Sequence, residues 1–160
     1  MKIRLARYFF KFYYGKMSEK TKDLLRRAEA SKDSSEEGKS SVSRAEREFR
    51  DETEAESAYQ KYKLKLFNVN GWEADSGVSA FRLFDETGAE VTATAARTGN
   101  FIRITMPGSG KNDWVKIVEI YENSTETVIT VQPTFDPIDG GKETTSHFFQ
   151  SEASNNFCLQ

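Results

Sequence analysis

Along Phe101–Ile120 the side chains alternate in character. Ile102 and Ile104 are interleaved with Arg103 and Thr105, and after a break Trp114, Val115, Ile117 and Ile120 resume the apolar pattern. Alternation with a period of two marks a strand with one buried face. The break, Pro107–Asp113, is polar and carries Gly108 and Gly110. The stretch therefore predicts two strands joined by a turn, with Trp114 as a core anchor.

The same texture runs through residues 62–160. Tyr62, Leu64 and Leu66 alternate with Lys63 and Lys65, and Asn68–Gly71 reads as a turn. Val78, Ala80, Leu83 and Phe84 form the next run, closed by Asp85-Glu-Thr-Gly88. Val91, Ala93 and Ala95 alternate with Thr92 and Thr94. Val128–Val131 is stopped by Pro133, and His147–Phe149 and Phe157–Leu159 complete the series. Short strands about ten residues apart, without amphipathic helices between them, predict a mainly β domain: an antiparallel β-sandwich or small barrel of roughly seven to eight strands. Such strands and turns occur in many unrelated sandwiches and carry no function by themselves.

Residues 17–60 read differently. Ser18 is the predicted N-cap of a helix running to about Ala30. The stretch near 31–42 lacks apolar residues as far as Ser41, so it is predicted to be a flexible linker. Ser43-Arg-Ala-Glu46 fits a capping box for a second helix reaching Tyr62. Ala45, Phe49 and Tyr59 stand among many charges there, which predicts a solvated stalk.

Residues 1–16, MKIRLARYFFKFYYGK, combine charge with rings. Arg4, Arg7 and Lys11 recur at helical spacing beside Phe9, Phe10, Phe12 and Tyr13, so the segment predicts a basic aromatic amphipathic helix. Such a face suits an anionic membrane surface or a protein partner. The rings can equally dock on the chain's own body, or on a second copy in a homo-oligomer. Nucleic acid is disfavoured, because no recognition helix or RNP-like string accompanies the charge. Met17-Ser-Glu-Lys also reads as a chain start, which would leave this head outside the protein.

Composition sharpens this three-part reading. The 160 residues carry a formal charge of -2, but residues 1–30 hold +6, residues 31–60 hold -4 and residues 61–160 hold -4. A mean hydropathy of -0.67 leaves apolar surface for one domain with a polar extension. No apolar run is long enough to span a bilayer, and Arg7 and Lys11 break any signal-like segment, so the expected location is cytoplasmic with membrane association through the head.

Little in the sequence builds a reaction centre. Gly108-Ser-Gly-Lys111 suggests a phosphate loop, but Thr105 and Asn112 stand where that motif needs Gly and Ser or Thr. Lys111 is retained only as an interaction candidate. The one His, His147, and the one Cys, Cys158, cannot close a tetrahedral zinc site. Cys158 lies in an apolar strand, where its thiol is expected to be inert. Asp113, Glu119, Asp136 and Asp139 supply carboxylates for an acid–base pair or a calcium site, and no spacing joins two of them. Asn123-Ser-Thr125 fits a glycosylation acceptor. Trp72, beside Asn70-Gly71, is a cap for the open end of the sheet or an anchor for a partner.

The expectation is a non-enzymatic binding or scaffold module, with no metal and no cofactor. The alternative is a small hydrolase or ligand-binding enzyme in which His147, Asp113, Lys111 and Trp72 converge at one end of the sheet.

Overall fold

The computed structural model describes residues 8–12, 18–30, 43–76, 79–92, 95–108, 111–139 and 154–160. The fold is mainly β: one open antiparallel sheet of six strands, with helices. In chain order the elements are β1 (Tyr8–Phe12), α1 (Glu19–Ala30), β2 (Ser43–Arg47), α2 (Glu52–Phe67), a 3-10 turn (Val69–Gly71), α3 (Trp72–Ser76), β3 (Ala80–Phe84), β4 (Glu90–Val91), β5 (Phe101–Thr105), β6 (Asn112–Glu122), β7 (Thr127–Pro133) and β8 (Asn155–Leu159). The strand order is β2-β1-β8-β7-β6-β5-β3-β4. β3 pairs antiparallel with β4 and β5, and β5 with β6; β1 pairs in parallel with β2 and β8. The sandwich or barrel of seven to eight strands expected from the sequence is a finer form than this strand order bears out.

The chain divides into two compact units. One gathers Met1–Gln60, Tyr121–Val128 and Asn156–Gln160; the other gathers Lys61–Ile120 and Ile129–Asn155. In the second unit, β3, β5 and β6 are in the register that alternation predicts. Ile102 faces Leu83 on one side and Val115 on the other, and Ile104 faces Phe81 and Asp113. These side chains, with Ile117, are buried and form the core of that unit. Trp72 on α3 meets Phe81 edge-on, with ring centroids 5.6 Å apart. Asn70 fastens the 3-10 turn to the strands: its Oδ1 accepts from Leu83 N at 2.9 Å and its Nδ2 donates to Val91 O at 2.7 Å. The Asp85 turn closes β3 onto β4. Asp85 Oδ1 accepts from Thr87 N, Thr87 Oγ1 and Ala89 N, and Gly88 supplies the positive φ of 84° that the turn needs.

In the first unit, Ser18 caps α1 as the sequence predicts, with its Oγ accepting from Thr21 N at 3.2 Å. Tyr59 and Ala55 on α2 are buried, so this helix is not the solvated stalk expected from its charges. Two apolar positions four apart are enough to seat one stripe of a helix whose other faces stay wet.

Four local expectations are corrected. The run Tyr62–Leu66 is helical, not a strand. Leu64 is 74 % exposed, so the apparent alternation never addressed a core. Its lysines and leucines are strong helix formers that simply extend α2. The Ser43–Glu46 box is unused, because Ser43–Arg47 is a strand. Asp51 caps α2 instead, with its Oδ1 accepting from Glu54 N at 2.8 Å, while Glu54 Oε2 reaches back to Arg50 N at 3.0 Å. Of the strand expected over Val91–Ala95, the described residues hold Glu90–Val91, with Thr92 in a bend. Finally, Tyr8–Phe12 is a strand in register with Ser43–Arg47, not part of an amphipathic helix. Aromatic residues favour extended backbone, and six in this short head outweigh its helical charge spacing. The linker near 31–42 and the His147–Phe149 run lie outside the described residues.

Candidate functional site

The sequence-predicted site residues that the structure describes fall on different elements. Arg4, Arg7 and His147 lie outside the described residues. Phe9, Lys11 and Phe12 are in β1. Trp72 is half-buried on α3 and donates its indole N–H to Lys65 O at 3.2 Å. Lys111 is exposed, and its carbonyl accepts from Met106 N at 3.3 Å across the β5–β6 loop. Asp113 is 1 % exposed and accepts from Trp114 N at 2.9 Å, so its carboxylate is out of reach of a substrate in solvent. Glu119 is exposed on β6, and Asp139 is exposed in the loop after β7. Asp136 Oδ1 accepts from Ile138 N at 2.8 Å, a turn-forming role. Among the described residues no group of three or more His, Cys, Asp or Glu is placed to hold a metal ion. Asn123 likewise works within a turn: its Oδ1 accepts from Thr125 N and its N–H donates to Glu126 O.

Cys158 is buried, 3.4 Å from Gln160 Nε2 and 3.8 Å from Thr21 Oγ1. Burial pushes its thiol up to about 11, against the two hydrogen bonds that favour the thiolate, and buried Glu126 adds to the rise. The thiol is inert, as its apolar setting predicted.

The register brings together a different set. On the other face of β3, β5 and β6, itself buried at Phe84 and Trp114, Arg82 lies across from Arg103 and Arg103 across from Trp114; Phe84 lies across from Phe101 and Phe101 across from Lys116. The rings of Phe84 and Trp114 meet over the intervening β5, with centroids 4.8 Å apart. The Arg103 guanidinium sits 5.1 Å from the Phe84 centroid, and Lys116 Nζ is 5.1 Å from that of Phe101. Phe84 and Trp114 are buried, Phe101 is half-buried, and Lys116 is exposed. Along each of these three neighbouring strands a cation thus stands two residues from a ring.

The two arginines are not equally satisfied. Arg82 has carboxylates from both sides, Glu73 at 3.2 Å and Glu90 at 3.9 Å. Arg103 has no acidic partner among the described residues, and its Nε is buried without a hydrogen bond, a state that among those residues it shares with Asn155 Oδ1. A buried donor left unpaired costs about 1–3 kcal/mol. Like charges directly opposite on neighbouring strands add to this cost. A planar guanidinium in that state is matched in shape and charge by a carboxylate or phosphate. Sequence reasoning identified Arg103 and Thr105 as outward positions but had no means of setting Arg103 against Arg82.

Among the described residues no helix is long and apolar enough to cross a membrane. Compared with known protein families, curated proteins and solved structures, the chain matches none of them, and its function is argued from this face alone.

Proposed function

We propose that this chain is a non-enzymatic binding module, and that the basic and aromatic face of β3, β5 and β6 is its contact surface. The observation that carries the reading is Arg103, facing Arg82 with an unpaired, buried Nε and no carboxylate of its own among the described residues. The sandwich or barrel form is not needed for this reading, because the accessible part of the face is the exposed Lys116 with half-buried Arg82, Phe101 and Arg103. The enzyme reading gains no support from Asp113, which is buried.

The head remains a second contact candidate: residues 1–16 would bind a protein partner or an anionic membrane surface. Pairing of Tyr8–Phe12 with Ser43–Arg47 and Leu159 favours docking of that strand at home. Co-sedimentation of the full chain with anionic vesicles at low salt separates the two, since a docked head leaves the protein in the supernatant.

Sulfate serves as a generic oxyanion probe for the face. Titrated into the nitrogen-labelled full chain, it should shift the Arg103 Nε–H resonance and the amides around Arg82 and Lys116 while leaving α1 unchanged. A titration that leaves Arg103 unmoved would sink the reading.

A further inference from the structure

We propose that this face binds an extended acidic polypeptide and seats one of its carboxylates on Arg103. The inference rests on the binding reading above and names its ligand. Arg82 is the internal precedent. It is held by two carboxylates of the chain itself, Glu73 and Glu90, while its cross-strand neighbour Arg103 has none among the described residues. An incoming carboxylate completes at Arg103 what these two acids already do at Arg82.

The spacing favours a chain over a single small anion. The cations occupy three adjacent strands about 4.8 Å apart. Lys116 lies on the diagonal from Arg103, about 7–8 Å away by sheet geometry. Alternate side chains of an extended peptide are separated by about 6.6 Å. Carboxylates two residues apart therefore reach Arg103 and Lys116 together. Half-buried Phe101 and exposed Val118 border the cations and offer apolar contact to the intervening residue.

Single-stranded nucleic acid fits less well. Such ligands need rings open for base stacking. Here Phe84 and Trp114 are buried, and Lys116 stands over Phe101.

The test is fluorescence anisotropy of a labelled poly-glutamate peptide with the full chain, at low and at high salt. Binding should appear at low salt, weaken about tenfold in Arg103→Gln, and fade as salt rises. Lys61→Gln, an exposed change on α2, should bind as wild type. Arg103→Lys keeps the charge but loses the fork, and should fall between wild type and Arg103→Gln. Lys116→Gln, at an exposed position, gives a second reading should Arg103→Gln perturb folding. Binding that is unchanged in Arg103→Gln and Lys116→Gln overturns the proposal. So does oligothymidylate that outcompetes the peptide. If the peptide fails while sulfate still moves Arg103, the ligand class is wrong and the binding face stands; if both fail, both readings fall.

Discussion

The hydroxyls of Tyr59, on α2, and Thr127, on β7, share a hydrogen bond of 2.8 Å, with the two residues 2 % and 0 % exposed. Neither hydroxyl has access to water as a substitute partner. Tyr59→Phe should therefore cost about 1–3 kcal/mol, because it leaves the Thr127 hydroxyl without this bond. Adding Thr127→Val, which removes the second polar group at similar volume, should recover part of the loss. Urea denaturation of the two variants reads the difference. A double variant less stable than Tyr59→Phe would mean that the pair is not the source of the effect.

Asn70 is expected to be costly to replace. It satisfies Leu83 N and Val91 O at once, so Asn70→Leu strands a donor and an acceptor. The expected loss is about 2–4 kcal/mol, two part-buried backbone groups left unpaired. Asn70→Asp should lie between, since it keeps the acceptor for Leu83 N and loses only the donor to Val91 O. Thermal unfolding checks the order wild type, Asp, Leu.

Cys158 gives a pH prediction. Its thiol ionises at about 11 in the folded chain, above the ordinary 9.0, because burial disfavours the thiolate. A raised folded value means that the contribution to stability is complete below pH 9.0 and is lost as pH climbs toward about 11. Stability should therefore fall across that window in wild type, and less in Cys158→Ala. At pH near 8, an aromatic disulfide reagent should label the native thiol about 100-fold more slowly than the urea-unfolded chain, from the difference in thiolate fraction alone.

Arg103→Met separates binding from stability. The substitution loses the guanidinium–Phe84 contact, worth about 0.5–1 kcal/mol. It also removes an unpaired buried N–H whose burial costs about 1–3 kcal/mol. The denaturation midpoint should hold or rise while poly-glutamate binding is lost. A loss of stability above about 2 kcal/mol would instead make Arg103 a structural residue.

What could be read from the sequence was local. Alternation at Ile102–Arg103–Ile104–Thr105 and at Trp114–Ile117 gave β5 and β6 and the burial of Trp114. Ser18 gave the start of α1, and the apolar setting of Cys158 gave its inert thiol. Alternation misled at Tyr62–Leu66, because lysine and leucine pattern alike on a strand and on a half-exposed helix. Two acceptable caps, at Ser43 and Asp51, competed for α2, and nothing local favours one over the other. The Arg82–Arg103 pairing was out of reach for a different reason: register between strands is a property of two segments together.

The unit that gathers Met1–Gln60, Tyr121–Val128 and Asn156–Gln160 has a kinetic consequence. Thr21 and Cys158, whose side chains touch there, are 137 positions apart, whereas Ile102 and Val115 pair across 13. Closing the longer loop costs about 2 kcal/mol more in chain entropy. Residues that pair early are those separated by short loops. The β5–β6 hairpin should thus be among the first structures to form, and docking of α1 against β8 among the last. Until β1, still farther away along the chain, pairs with it, β8 presents an open edge, so a slow step of folding is also one open to misassociation between chains.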